Sequence, residues 1–325
     1  MPSYISSFRV LPHGWRSLVL AAVVASGFLG GFELFWRHYG FVPTLTDSDS
    51  LWCEARASVA HDSLVILGSS RLQTGLDPIE LSRALGGRSV VQLALAGANP
   101  VPALLDLAAD TRFGGVVLLE YMPRRLFTSD VGAAGRTQAF VTACHNPSVV
   151  APIEARLARV AEQHLTLLDA ELQIVALLSY VAHHRALPHA SHDQLRGDRY
   201  SLMSFPEGEH VVTARDVWDP PFTGAALEAR FGELRAAIAS IAARGGKVIL
   251  YRSPVSGEVL ADEEARFPSA IWFPRAAREL GASSIDYAAL PGARTLDLPD
   301  GEHPRSRDVA EVTATVGRAL QPLLR

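Results

Sequence analysis

Ser63-Leu-Val-Ile-Leu67-Gly68-Ser69-Ser70 is the stretch of the 325-residue chain from which the fold can be worked out. Its first part is a short, unbroken apolar run, which is typical of a strand buried on both faces of a parallel sheet. Gly68 ends that strand. A helix is then predicted from Asp77, because proline occupies its first position and Gly86 follows its last turn.

The same alternation of strands and helices continues along the chain. Because right-handed crossovers place helices on both faces of a parallel sheet, we expect an α/β fold with a doubly wound parallel sheet. Ligand sites in such sheets form at the carboxyl ends of the strands. Further strands are predicted over residues 89–95, 115–119, 247–251 and 284–287, and helices over 51–59, 100–109, 225–243 and 307–324.

One stretch interrupts this rhythm within the α/β domain, which we place at residues 61–325. Residues from about 150 to 195 indicate one or two helices and a His-rich turn, and we expect them to form a helical insertion packed over one side of the sheet. The polar loop over residues 195–222 is predicted to form part of the rim of the site. The sequence offers no account of what the insertion does.

The N-terminus predicts a membrane anchor. Residues 17–36 are almost free of charge, and Arg9 and Arg16 before them favour a cytoplasmic N-terminus. We therefore expect an anchor over residues 1–37, a linker over 38–60, and a domain facing the periplasm from a bacterial inner membrane. A cleaved signal peptide and a buried core helix are the alternatives.

Composition excludes several classes of protein. The net charge of −4 leaves no basic surplus for nucleic acid, and neither GxGxxG nor GxxxxGK[ST] occurs, so we expect no nucleotide cofactor. No metal site is predicted, because the spacing of His183, His184, His189 and His192 does not match a zinc motif. The only two cysteines, Cys53 and Cys144, could form a disulfide in an oxidising compartment or remain thiols.

Two separate segments carry residues suited to acyl transfer. Ser70 follows a buried strand and precedes a helix, where backbone N–H groups can stabilise an oxyanion. Asp300 and His303 stand before the last predicted helix, so one loop could present a base and the carboxylate that orients it. Taken singly, the first segment could be a Gly-Ser turn that merely ends a strand or binds phosphate, and the second an Asx-turn with an incidental histidine.

These segments resemble the SGNH/GDSL hydrolase superfamily over residues 60–128 and 245–325. Within it, they are similar to the membrane-anchored alginate-type O-acetyltransferases and D-alanyl-transfer proteins. The resemblance implies a flavodoxin-like fold with Ser70 as nucleophile and an oxyanion hole formed by Ser70 and Gly97. The family's third block departs from its pattern here, because Glu120 follows the third strand where an asparagine is expected. A carboxylate there would oppose an oxyanion, so either Asn99 supplies the third donor from the neighbouring loop or the oxyanion hole has only backbone donors.

The expected reaction moves or removes an acyl group, such as acetyl, on an envelope glycan through an acyl-Ser70 intermediate. Arg71 and Arg252 are candidates for binding an anionic sugar or carboxylate, with a salt bridge at a strand end as the alternative for each. The expected partners are an acylated donor, a glycan acceptor and a multi-spanning membrane acyltransferase. The rival interpretation is a non-catalytic glycan-binding or scaffold protein with the same fold.

Overall fold

The computed structural model describes residues 14–146, 151–183, 194–203, 205 and 219–325. The described residues fall into two compact units, residues 14–44 with 160–183, and residues 45–159 with 194–325. In chain order the strands and helices are α1 Gly14–His38, α2 Asp49–Ala57, β1 Leu64–Leu67, α3 Ser70–Gly75, α4 Pro78–Ala84, β2 Val90–Gln92, α5 Val101–Ala109, β3 Val116–Glu120, α6 Pro123–Leu126, α7 Val131–His145, α8 Ala151–Glu162, α9 Ile174–Ala182, β4 Gln194–Leu195, β5 Ser201–Leu202, α10 Gly224–Ala242, β6 Lys247–Arg252, α11 Gly257–Arg266, α12 Ser269–Leu280, β7 Ser283–Asp286 and α13 Val309–Leu320.

The second unit is built on a five-stranded sheet with strand order β2-β1-β3-β6-β7, in which every neighbouring pair is parallel. The predicted α/β fold with a parallel sheet is thus confirmed, and each of the five strands expected from the sequence is present. In the same unit β4 and β5 form a short antiparallel ribbon that the sequence did not predict. The carboxyl ends of the five parallel strands meet at one edge of the sheet.

The unbroken apolar run in β1 reflects burial on both faces of the sheet. Val65 and Leu67 belong to a core cluster that includes residues of α5 and α10, whereas Leu64 and Ile66 belong to one that includes residues of α4 and α13. All four side chains are fully buried, and each contributes roughly 2 kcal/mol of hydrophobic stabilisation. Helices covering both faces are what a parallel sheet needs to exclude water from its core.

The first unit contains α1 and part of the inserted segment. Trp15–His38 is long and apolar enough to cross a membrane, and none of its apolar stretch is buried. The helix predicted over residues 17–36 is therefore confirmed, and its exposed surface argues against a buried core helix. A membrane anchor and a signal peptide both fit a single helix of this kind.

The C-terminal end of α1 packs against the inserted segment. The carboxylate of Glu33 accepts hydrogen bonds from the backbone N–H groups of Thr166 and Leu167, at 3.0 and 2.8 Å. An apolar cluster lies beside these bonds and consists of Trp36, Phe41 and Leu172. Residues 160–183 of the insertion belong to the compact unit that contains α1, and the expectation that the insertion packs over one side of the sheet stays a prediction.

Parts of the insertion and of the predicted rim lie outside the described residues. These parts comprise residues 150, 184–193, 204 and 206–218, which include three of the four histidines considered for a metal site. The fourth, His183, directly follows α9, and its Nδ1 is within 2.8 Å of the Ser179 backbone oxygen.

A disulfide joins Cys53 to Cys144, with 5.2 Å between their Cα atoms. It links α2 to α7, two helices that also pack against each other. The sequence left open whether these two cysteines form a disulfide or remain thiols, and the structure shows the disulfide.

Candidate active site

Ser70 is the first residue of α3, close after the carboxyl end of β1. The preceding serine, Ser69, is buried and caps this helix, because its Oγ accepts the N–H of Arg71 at 3.3 Å. Ser70 is only half-buried, and neither its hydroxyl nor its N–H forms a hydrogen bond with a described residue. Of the two serines, Ser70 is therefore the one that can react.

Asp300 and His303 form a hydrogen-bonded pair in the loop before α13. Asp300 Oδ2 lies 2.6 Å from His303 Nδ1, while Oδ1 accepts the backbone N–H groups of Glu302 and His303 at 3.0 and 2.9 Å. Gly301 makes the turn possible, because its φ of +83° is in the left-handed region and a Cβ there would lie 2.9 Å from the Ser256 carbonyl oxygen.

The protonation of this pair follows from its contacts. Burial, the largest influence, raises the pKa of Asp300, but the hydrogen bond and charge of His303 and the two backbone N–H groups outweigh it and lower the pKa below 3.8. An ionised carboxylate can only accept, so Nδ1 of His303 carries a proton, and in the neutral form of the ring the lone pair is on Nε2. That nitrogen is buried and has no hydrogen-bond partner among the described residues.

In its neutral form, an imidazole with an unpaired Nε2 can act as a general base. No hydrogen bond joins His303 Nε2 to the Ser70 hydroxyl in this structure. Such contacts are often long without substrate and shorten when substrate binds.

A buried ion-pair network holds the Ser70 loop against the Asp300–His303 loop. Arg71 Nη2 lies 2.8 Å from Glu263 and its Nε 3.2 Å from Glu302, the residue directly before His303. Arg124 also pairs with Glu302, at 3.4 Å. Although burial lowers the pKa of Arg71, the neighbouring carboxylates outweigh it and raise the pKa, so Arg71 stays charged.

The two arginines expected to bind an anionic substrate are thus engaged in the protein. Arg71 is part of the network just described. Arg252, at the end of β6, lies 3.1 Å from Glu264 and 3.3 Å from Asp286. These contacts favour the salt-bridge alternative for both, and they offer no support for substrate binding by either.

Glu120 lies beneath the nucleophile loop. Its Oε2 accepts the N–H of Ser69 at 2.6 Å, and its Oε1 accepts the hydroxyl of Ser253 at 3.1 Å. A Cβ on Gly68 would come within 2.7 Å of Oε2, so glycine is required there. One oxygen of this carboxylate thus holds the nucleophile loop and the other holds Ser253, which gives Glu120 a structural role beside the site.

The loop after β2 is tied to the same helix as Ser70. Gln73 of α3 accepts the N–H of Ala96 at 3.0 Å, which fixes the turn that contains Gly97. Gly97 is exposed with a φ of +67°, and its N–H has no partner among the described residues. Two unpaired N–H groups, those of Ser70 and Gly97, are thus present on loops that Gln73 connects.

Asn99 has contacts of a different kind. Its Oδ1 accepts the N–H of Val101 at 2.9 Å, and its Nδ2 donates to the backbone oxygen of Arg125 at 2.5 Å. The side chain is fully buried. These bonds indicate a structural role at the start of α5, and the role of third oxyanion donor remains a prediction that they do not support.

A groove of about 790 Å³ elsewhere in the second unit contains none of the predicted site residues. It holds another Asp–His pair, in which His145 Nε2 lies 2.6 Å from Asp106. Asp106 is already paired with Arg56 at 2.6 Å, and the cysteines that line the groove are joined in the disulfide. Ser50 and Thr111 also line the groove, and neither hydroxyl forms a described hydrogen bond with His145.

Sequence reasoning missed the residues that support the site. Glu120 could have been found, because a lone acid that ends a wholly apolar strand signals a buried, hydrogen-bonded carboxylate. Gln73 and Glu263 give no such signal, since their partners are distant in the chain. Among the described residues there is no group of three or more His, Cys, Asp or Glu side chains that could hold a metal ion.

Neither a model of a known protein family nor a curated protein sequence matches this chain.

Proposed function

We propose that the protein is a serine esterase or acyltransferase of the SGNH type, with Ser70 as nucleophile, His303 as base and Asp300 as the residue that orients the base. The observation that carries the proposal is the Asp300–His303 pair, whose Nε2 is buried and unpaired. The sheet order supports the flavodoxin-like assignment, because numbering its five strands by position in the chain gives the order 2-1-3-4-5.

The first half of the reaction follows from these roles. His303 Nε2 takes the proton of Ser70 Oγ as that oxygen attacks the carbonyl carbon of an ester. The N–H groups of Ser70 and Gly97 stabilise the negative charge on the carbonyl oxygen. The ester C–O bond then breaks, the alcohol leaves with the proton from His303, and acyl-Ser70 remains.

The second half reverses these steps with another acceptor. His303 removes a proton from a sugar hydroxyl or a water molecule, whose oxygen attacks the acyl-Ser70 carbonyl. The proton then returns to Ser70 Oγ as the acyl group departs. Transfer and hydrolysis differ only in which acceptor reaches the site.

The membrane setting supports an envelope glycan as the acyl acceptor. An apolar α1 of sufficient length and a disulfide both fit a domain that is anchored in the inner membrane and faces the periplasm. We propose acetyl as the acyl group and a multi-spanning membrane acyltransferase as the partner that supplies it. Both rest on the resemblance stated above.

A second candidate function is a non-catalytic glycan-binding or scaffold protein. One observation favours it: the described residues supply only backbone donors to the oxyanion position, because Glu120 and Asn99 are both engaged elsewhere. Loss of one donor costs about 10²–10³ in rate, which would leave a slow enzyme.

Labelling with a fluorophosphonate probe tests the proposal on the full chain in detergent, with release of p-nitrophenol from p-nitrophenyl acetate as second readout. Ser70→Ala should abolish labelling, and His303→Gln should lower both rates by at least about 10³-fold. Ser69→Ala is the matched serine control, because Ser69 only caps a helix. His145→Gln is the matched histidine control, since it removes the other Asp–His pair.

Labelling that persists in Ser70→Ala, or that is lost equally in Ser69→Ala, would exclude Ser70 as the nucleophile. If the folded parent neither labels nor turns over the ester, the scaffold function becomes the better explanation.

A further inference from the structure

Helix α9 carries an apolar face that is largely uncovered. Its nine residues include no charged side chain. Ile174, Leu178 and Val181 recur at the spacing of one helix face, and they are 73%, 62% and 65% exposed. Val175 beside them is 79% exposed. A contiguous group of exposed apolar side chains indicates a binding surface, whereas single exposed apolar residues are common on any protein.

The side of α9 opposite the exposed face packs within the first unit and fixes the position of the helix there. Leu177 packs against the cluster of Trp36 and Phe41 at the C-terminal end of α1, as does Phe32. The hydrogen bonds of Glu33 hold the turn that shortly precedes α9. The exposed face of α9 therefore lies at the level of the last turns of α1, within the same compact unit.

Length and composition identify what covers this face. Nine residues of helix extend about 14 Å, which is too short to span a bilayer but suits a helix lying along its surface. No charged side chain on α9 opposes its burial among lipid acyl chains. The adjoining α1 exposes apolar side chains such as Val24 and Phe28, at 63% and 69%. The exposed apolar faces of α9 and α1 are both suited to contact with lipid acyl chains.

We propose that α9 lies in the interface of the membrane that α1 crosses, with Ile174, Leu178 and Val181 inserted among the lipids where α1 emerges. The protein then has two membrane attachments, one spanning and one lying in the surface. This inference rests on α1 acting as an anchor, but not on the proposed chemistry.

Depth-dependent fluorescence quenching tests the proposal on the full chain in phospholipid vesicles. Leu178→Cys is labelled with an environment-sensitive fluorophore, and some lipids carry a nitroxide near the carbonyl end of the acyl chain. The probe at residue 178 should emit at shorter wavelength and lose most of its emission to the nitroxide. Val131→Cys is the matched control, since Val131 is equally apolar and 74% exposed but belongs to the second unit. A probe there should respond to aqueous iodide instead.

A third probe, on Phe28→Cys in α1, separates the possible failures. If residue 28 is quenched by lipid but residue 178 is quenched only by iodide, α9 lies outside the membrane and the inference is overturned while the anchor stands. If neither is quenched by lipid, the anchor fails and the inference with it. If the signal at residue 178 disappears when lipid is added in excess, a second copy of the chain covers the face, which also overturns the proposal.

Discussion

Arg71→Met is expected to lower the free energy of unfolding by about 3–5 kcal/mol, which is the cost of removing one partner of a buried ion pair. The Arg71 side chain is 1% exposed, and those of Glu263 and Glu302 are 5% and 13% exposed. Methionine fills much of the same volume but leaves the two carboxylates without their shared cation. The desolvation of Glu263 is then uncompensated, that of Glu302 is offset by Arg124 alone, and the loop that carries His303 loses its ion pair with α3.

Thermal unfolding of the full chain in detergent, followed by circular dichroism, measures the effect. The midpoint should fall by roughly 10 °C for a unit of this size. Arg83→Met is the matched control, because the Arg83–Glu80 pair lies on the surface with side chains 69% and 40% exposed. We expect it to change the stability by less than about 0.5 kcal/mol.

The dependence on pH gives an independent check. Burial raises the pKa of Glu302, but Arg71 and Arg124 outweigh it and lower the pKa below 4.5. A carboxylate with a lowered pKa stabilises the fold above its ordinary value, and this contribution is lost as the pH falls through the folded value. The difference in free energy of unfolding between the parent and Arg71→Met should therefore become smaller as the pH falls below 4.5. A gap under about 1 kcal/mol at neutral pH, or one that widens in acid, would refute the reasoning.

Three further changes probe the site and its support. Asp300→Asn should slow fluorophosphonate labelling by about 10⁴, because its amide disfavours the required imidazole tautomer; a loss below tenfold would argue against the orienting role. Glu120→Gln keeps an acceptor for the Ser69 N–H and should retain most of the labelling rate. Glu120→Ala leaves that N–H buried and unpaired and should label more slowly. Equal labelling rates in the two variants would contradict the positioning role of Glu120. Reducing the Cys53–Cys144 bond should cost about 2–4 kcal/mol of stability but leave labelling of the still-folded protein unchanged; slower labelling would indicate that the disulfide shapes the site.

The sheet could be predicted from the sequence because its signals are local. The run of apolar residues before Gly68, the capping residue Asp77 and the stop at Gly86 each report on a few neighbouring positions. Packing then forces the strands into one parallel layer. Helix α7 escaped prediction, since its residues Val131–His145 are rich in alanine and glycine and show little periodic contrast.

The support of the site was harder to predict, because it depends on pairs far apart in the chain. Asp300 and His303 are three positions apart, so one loop explains their contact. Arg71 and Glu302 are 231 positions apart, and no local pattern distinguishes a guanidinium held by glutamates from one that waits for a substrate. Glu120 differs, because a lone acid at the end of an apolar strand is a local signal of a buried carboxylate, although its partner, the Ser69 N–H, is 51 positions away.

The disulfide has a mechanical consequence. Tension that the main chain carries from the N-terminal helix through residue 45 meets Cys53 before it meets β1. At Cys53 the load divides between the main chain and the bond to Cys144 in α7. Covalent bonds do not yield at forces that open hydrogen bonds, so part of the tension bypasses the strand that leads to Ser70. The disulfide thus reduces the tension that reaches β1 and the Ser70 loop when the N-terminal helix is pulled.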